Sequence, residues 1–390
     1  MLKLLKSFKT EINPTEEQKK IINKTIGVCR FVYNFYLDYN KQLYQSNKKF
    51  MTGKDFSVWL NNKYLPNHSD KQWIKEVSSK SVKQSIENGY KAFQKFFKKQ
   101  SQYPKFKKKN KSDVKMYFVK TDTKSVIQCE RHRIKIPTLG WVKLKEKGYI
   151  PTVKQKLYIR SGTVSYKADK YYISVIVDIP QQNKCFANYN QGIGIDVGLK
   201  DFAICSNGKI YKNINKSNNI KRIEKNLKRQ QKKLSKKYLK YKKGECIQNI
   251  YKQKLKVQKL YQRLNNIRTD YIGKIVSEVV KQKPSFVTLE DLNIKSMMKN
   301  RYLSKAIQEQ KFYDFRVKLQ NKCHEYGIEL KIANRFYPSS KKCNCCGNIK
   351  KELKLSDRIY ICKICGVIED RDLNAAFNLR DVKIGEYKSI

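Results

Sequence analysis

The sequence predicts a multidomain chain of mixed α/β and β structure: a helical segment with a small β-barrel, then an α/β domain carrying a zinc ribbon. Three observations point there. Apolar residues repeat at helical spacing early in the chain, at a period of two between about 114 and 180, and in a new α/β pattern from Gly192. Cysteines between 343 and 365 have the spacing of a four-thiolate metal site. The 390 residues suffice for two or three domains of roughly 100–200 residues each.

Charge narrows the function. Lys and Arg number 86 against 33 Asp and Glu, a formal net charge of +53. Such a chain repels itself unless a polyanion neutralises it, which points to nucleic acid. A membrane surface is the rival polyanion, but no apolar run approaches the roughly 20 residues that span a bilayer. Charges interrupt the apolar stretch of MLKLLKSFKTEINPTEEQ, which argues against a signal peptide. With 40% hydrophobic and 12% aromatic residues the chain can build cores, so disorder is disfavoured. Eleven cysteines without a secretory signal argue against a disulfide framework. A folded, cytoplasmic, nucleic-acid-binding protein is expected.

A strand is expected over Leu2–Ile12. Pro14 and Thr15 then open a helix, with Thr15 and Gln18 at capping-box spacing and Ile22, Ile26, Val28, Val32, Phe35 and Tyr39 on its buried face. A second helix is expected near Ser81–Lys99, striped by Val82, Ile86, Ala92, Phe93, Phe96 and Phe97. Its basic end runs into Tyr103–Lys109, which reads as a linker or a phosphate-contacting loop, with a solvated tail as the alternative. Lys105, Lys107 and Lys108 are the candidate contacts there, and Lys80 just before the helix. From about Val114 to Pro180, Tyr171, Ile173, Val175, Val177 and Ile179 alternate with their neighbours, as do Ile134–Ile136 and Val142–Leu144 about a Pro137–Gly140 turn, suggesting the barrel. Gln181–Asn190 reads as an interdomain linker. A helical hairpin is expected over about 218–243 and 250–280 with Gly244 near its turn, and Ile220, Ile223, Leu227, Leu234 and Tyr238 marking an apolar seam. Between Lys221 and Lys243 stand twelve Lys or Arg and one acid, Glu224. That imbalance favours contact with a nucleic-acid backbone over a merely solvated face, with Lys228, Arg229, Lys232 and Lys233 as candidates.

Cys343, Cys346, Cys362 and Cys365 form C-x2-C-x15-C-x2-C, within the range of a tetrahedral zinc site. Gly347 and Gly366 follow the two pairs and permit a positive-φ turn. Cys345 is surplus. A closed four-thiolate site is structural. Cys29, Cys129, Cys185, Cys205, Cys246 and Cys323 are scattered and read as inert.

Three acids stand at element ends in a chain starved of acids. Asp196 lies in a short apolar strand, where a carboxylate costs several kcal/mol unless a cation or hydrogen bonds offset it. A strand ends at Glu290 and Asp291, which compete for the inward position. Asp372 sits near the start of a helix whose small Ala375 and Ala376 allow close packing on a sheet, and Asp370 is the candidate N-cap. One shared site for two divalent ions about 3.5–4 Å apart would account for all three. With only His68, His132 and His324 present, histidine-based hydrolysis has little material.

Gly194–Gly198, Leu289–Leu292 and Asp370–Ala376 resemble the three split motifs of a RuvC nuclease, an RNase H-like fold. A zinc ribbon just before the third motif resembles the TnpB family, transposon-encoded proteins akin to miniature type V CRISPR effectors. Phe8–Gln18, Arg30–Asn34, Ala92–Phe97 and Tyr337–Cys343 match that family as well. The resemblance implies an RNA-guided DNA endonuclease that cuts beside a short target-adjacent motif, with Mg2+ held by Asp196, Glu290 and Asp372. It implies zinc on the four cysteines, a structured guide RNA and double-stranded target DNA as partners, and Gln84 near the target-adjacent motif. By the same likeness, 1–12 and 113–182 would be a β-barrel wedge and 13–112 a helical recognition domain. Residues 191–336 and 367–380 would form the RuvC domain, 337–366 the zinc ribbon that binds target nucleic acid, and 381–390 a tail. A bacterial cytoplasmic monomer, nucleoid-associated when on DNA, is expected. The alternatives are a guided DNA-binding regulator or transposition accessory protein that does not cut, and a structural RNA-binding protein, which leaves the acids unexplained.

Overall fold

The computed structural model describes residues 3–109, 111–120, 127–151, 158–180, 192–242, 248–354 and 357–389. Two compact units divide at Pro180, residues 1–180 and 181–390.

In the first unit, β1 (Lys3–Asn13) leads through Pro14 into α1 (Glu16–Asn47). The expected capping box forms: Thr15 Oγ1 accepts from the Gln18 N–H at 3.3 Å, and Gln18 Oε1 accepts from the Thr15 N–H at 3.0 Å. Helices α2 (Gly53–Trp59) and α3 (Ser79–Phe97) follow. Gly89 lets α3 approach α1, since a Cβ there would lie 2.6 Å from Tyr36 Cδ1. Val82, Ile86 and Phe93 are buried as expected, whereas Phe97 is 57% exposed at the end of the stripe.

The period-two region gives β2 (Met116–Val119), β3 (Arg133–Ile136), β4 (Gly140–Leu144), β5 (Tyr158–Lys167) and β6 (Lys170–Pro180). With β1 they form an antiparallel sheet of order β2-β5-β6-β1-β4-β3. All six strands feed one apolar cluster, so the sheet wraps around it; no ladder joining β2 to β3 is present among the described residues. Ile22 of α1 enters that cluster, while Val28 and Val32 enter the helical core. One helix therefore serves both cores, and the expected divisions at 12/13 and 112/113 fall inside a single unit.

The second unit begins with β7 (Ile193–Val197), β8 (Asp201–Cys205) and β9 (Ile210–Lys212), the last two joined through Asn207-Gly208 with Gly208 at φ 81°. Helices α4 (Asn218–Lys242) and α5 (Gln248–Lys281) make the expected hairpin; Gly244 and the segment 181–190 lie outside the described residues. Ile220, Ile223 and Leu227 pack against Val257 and Leu264, with Leu234 partly buried. Tyr238 leaves the seam at 44% exposure, an amphipathic ring keeping its hydroxyl in water. Next come β10 (Phe286–Glu290), α6 (Ile294–Met297), α7 (Ser304–Gln310), α8 (Phe312–Tyr326) and β11 (Glu329–Ala333). The small pair β12 (Ile359–Ile361) and β13 (Ile368–Asp370) precedes α9 (Arg371–Arg380) and β14 (Tyr387–Ser389).

The main sheet runs β14-β11-β10-β7-β8-β9, with β7, β10 and β11 mutually parallel. Helices α5 and α8 bury Ile275, Val279, Phe315 and Leu319 against Ile193, Ile195, Val287 and Leu289. Helix α9 packs on the opposite face at Gly194, where a Cβ would lie 2.0 Å from the Ala376 carbonyl oxygen and 2.4 Å from the Arg380 nitrogen. Among the described residues no helix is long and apolar enough to cross a membrane.

Candidate active site and metal centre

Alternation along β7 sends Ile193 and Ile195 into the apolar core and leaves Gly194 and Asp196 on the face beneath α9. The parallel register sets Thr288 against Gly194 and Leu289 against Ile195, so Glu290 ends β10 level with Asp196. Asp370 is the N-cap of α9: its Oδ1 accepts from the N–H groups of Asp372 at 2.9 Å and Leu373 at 3.1 Å. Asp372 is thereby in the first helical turn, 3.8 Å from the Arg358 guanidinium. Burial pushes the Asp196 carboxyl well above its usual range, and the negative charges of Glu290 and Asp372 push it further, opposed by Arg371. The three acids singled out in the sequence thus share one electrostatic neighbourhood. Asp291 turns instead to Arg316 at 2.9 Å and Arg335 at 3.1 Å. Burial alone would raise its carboxyl, but the two guanidinium groups hold it below the usual value.

An acid whose ionisation is opposed by burial and by two neighbouring carboxylates belongs to a donor set that a cation would relieve. The donors are all hard oxygens, which suit Mg2+. Asp196, Glu290 and Asp372 therefore fit a divalent-metal role.

The thiolate site is tighter. The Sγ atoms of Cys343, Cys346, Cys362 and Cys365 all lie within 4.8 Å of one another. Cys343 and Cys365 stand 3.6 Å apart and Cys346 and Cys362 3.5 Å. Sulfurs at about 2.3 Å from one tetrahedral ion would be about 3.8 Å apart, whereas a disulfide needs about 2.05 Å. Gly347 at φ 76° and Gly366 at φ 71° make the two tight turns. The backbone N–H groups of Cys365 and Ile364 hold the Cys362 thiol down, to about 6. The four residues fit a zinc ion. Cys345 is exposed and outside the group; Cys29, Cys129, Cys205 and Cys323 are buried elsewhere. Cys185 and Cys246 lie outside the described residues.

Polar side chains between the two centres were not assigned a role from sequence. Ser339 Oγ donates to Glu290 Oε1 at 2.5 Å. Asn378 Nδ2 donates to the carbonyls of Ser339 at 2.8 Å and Lys342 at 2.7 Å. Asn374 donates to the Lys342 carbonyl at 2.8 Å and accepts from the Asn344 N–H at 3.0 Å. Nothing in local spacing marks these residues; their i, i+4 placement on α9 is the one available signal.

The candidate nucleic-acid contacts fall on both units. Lys80, Lys105 and Lys108 are exposed, and Lys107 is half-buried. Residues 103–109 are a docked strap rather than a solvated tail: Tyr103 packs edge-on to Phe93 and Phe96, and Asn34 accepts from the Lys107 N–H at 2.7 Å. Gln84 donates to Asn88 at 3.1 Å along α3. Lys228, Arg229, Lys232 and Lys233 are exposed on α4. Glu224, the lone acid of that run, pairs with Arg268 at 2.9 Å, so it does not offset the outward cations. Arg222, Lys225, Arg229 and Arg263 line a groove of about 590 Å³ floored by Ile223 and Leu260.

Three family models match parts of the chain. A family described as "Probable transposase" matches residues 174–301, and "Cas12f1-like, TNB domain" matches 312–379. A "Helix-turn-helix domain" family matches 1–49, where the chain has one strand and one uninterrupted helix. "Putative RNA-guided DNA endonuclease InsQ" of Escherichia coli (strain K12) is 28% identical over 395 residues, covering 97% of this chain and 92% of the relative. "TnpB-like protein L770" of Acanthamoeba polyphaga mimivirus is 25% identical over 415 residues, covering 98% and 73%. The chain is similar to TnpB-like proteins over almost its whole length. A solved Cas12f1-sgRNA-target DNA complex contains a chain of the same mixed α/β fold, with TM-score 0.55 and 15% identity over 97% of this chain and 99% of that one.

Proposed function

We propose that the protein is an RNA-guided, Mg2+-dependent DNA endonuclease with a structural zinc. The observation that carries the reading is Asp196, half-buried on β7, whose carboxyl is raised by desolvation and by the charges of Glu290 and Asp372 from two other elements. Relatives spanning nearly the whole chain carry the name "Putative RNA-guided DNA endonuclease", which supports the same activity here. In this reading residues 191–336 and 367–380 are an RNase H-like RuvC domain and 337–366 its zinc-ribbon insert. The wrapped sheet is the wedge, and the N-terminal helices recognise nucleic acid beside the target-adjacent motif, with Gln84 near it. The exposed cations of α4 and the 103–109 strap hold the phosphates of a structured guide RNA and its target duplex. Guide pairing reads the sequence.

Asp196, Glu290 and Asp372 would hold the metal, with Asp196 giving up its proton on binding. Divalent ions held there would supply the Lewis-acid chemistry of phosphodiester hydrolysis. The ribbon's thiolates hold zinc for structure only.

The test is cleavage of a plasmid carrying a target matched to the copurifying RNA, with and without Mg2+. Wild type is expected to cut only with Mg2+. Asp196→Ala is expected to lose cleavage by at least about 100-fold while still retarding target DNA in a gel, by analogy with losses on removing other transition-state electrostatics. Retained cutting by the variant removes the metal-site reading. A wild type that binds its target uncut leaves a guided DNA-binding regulator.

A further inference from the structure

The ribbon and the three acids are linked by more than their order in the chain. Ser339 is 3% exposed, and its hydroxyl spends its one proton on Glu290 Oε1 at 2.5 Å. No hydrogen bond to the other Glu290 oxygen is present among the described residues, which leaves that oxygen open. Ser339 is itself held by its backbone. Its N–H donates to the Tyr337 carbonyl at 2.9 Å, and its carbonyl accepts from Asn378 at 2.8 Å. Tyr337 Oη donates to the Asn378 carbonyl at 3.1 Å, so the same residue of α9 is gripped twice. Asn374, fully buried one turn earlier, clamps the Lys342 carbonyl and the Asn344 N–H on either side of Cys343. Glu290 on β10 and Asp372 on α9 thus take their relative placement from one polar segment, residues 337–344.

We propose that Ser339 is a positioning residue for Glu290: its hydroxyl fixes one carboxylate oxygen so that the other is presented toward Asp196 for a divalent cation. This rests on the nuclease reading for the purpose of the site, but the bond can be tested apart from cutting. A glutamate at the end of a strand has three side-chain rotations to lose before it can ligate. A donor locked in the core removes part of that freedom in advance, as outer-sphere hydrogen bonds do for metal ligands generally. A serine buried only to complete a turn would donate to a nearby backbone carbonyl instead of a carboxylate 49 positions away.

The test uses the full-length chain in two assays. Mn2+ binding to the RNA-free protein is followed by the electron paramagnetic resonance of free Mn2+. Cleavage by the RNA complex is followed against Mg2+ concentration. Ser339→Ala is expected to weaken Mn2+ binding and raise the half-saturating Mg2+ by about 10–100-fold, with one zinc per chain and target binding retained. Ser339→Thr, which keeps the hydroxyl, is expected to restore both. Unchanged Mn2+ affinity in Ser339→Ala overturns the proposal, as does a loss that Ser339→Thr fails to restore. Loss of zinc from Ser339→Ala also overturns it, since the hydroxyl then serves the ribbon's own fold. A wild type that binds Mn2+ but leaves matched DNA intact overturns the nuclease reading, while the Mn2+ titration still decides the role of Ser339.

Discussion

Carboxylates in this protein take opposite fates according to their neighbours. Asp196 meets burial and two like charges, and its proton is held tightly. Asp291 meets two arginines and loses its proton readily. Glu11 follows Asp291: it accepts from Lys145, just past β4, at 3.1 Å and from Lys170 at the start of β6 at 2.8 Å. Burial alone would raise its carboxyl, but the lysine hydrogen bonds outweigh that and leave it below its unfolded value. A depressed carboxyl stabilises the fold at pH above the unfolded range and loses that contribution as pH falls through the folded value. Glu11→Gln should therefore lower stability near neutral pH by about 0.5–1 kcal/mol and cost nothing in strong acid. Denaturant midpoints of the two proteins across that range check it. Converging midpoints at neutral pH would mean the two lysines contribute nothing.

At the scale of elements, the contact of α9 with β7 decides whether the acids meet. Gly194 is the hinge of that contact, with no room for a methyl group against the backbone of Ala376 and Arg380. Gly194→Ala should force the helix off the sheet, destabilising the unit by about 3 kcal/mol and removing cleavage. An unfolding curve and a plasmid assay read the two effects; an unaltered midpoint would show that the helix tolerates displacement. Much of this was legible in residue order. The capping box at Thr15, the Asn207-Gly208 turn, the hairpin seam through Leu227 and the cysteine spacing are local patterns, and local physics enforces them. Choosing between Glu290 and Asp291 was not legible, because Arg316 and Arg335 arrive from distant parts of the chain. The Ser339 and Asn378 bonds were hidden for the same reason. Phe97 and Tyr238 misled because helical periodicity says which face a residue is on, not how far its packing partner extends.

Across the whole molecule, charge outweighs every other property. With +53 on the chain and a run of α4 whose one acid is already paired, polyanion binding should release many counterions. Eight phosphate contacts give a slope of log K against log salt of about −6 to −7. Fluorescence titration of the copurifying RNA at several salt concentrations measures it. A slope near −1 would contradict the polyanion reading.

Chain order adds a temporal dimension. Helix α9, with Asp372 in its first turn, is synthesised after the cysteine knuckles whose backbone its asparagines grip. A polypeptide still emerging from the ribosome has made Asp196 and Glu290 but not the third acid, and the thiolates are available to capture metal before that acid arrives. Assembly of the acid cluster therefore waits for α9, and no nascent chain that stops short of that helix can complete it.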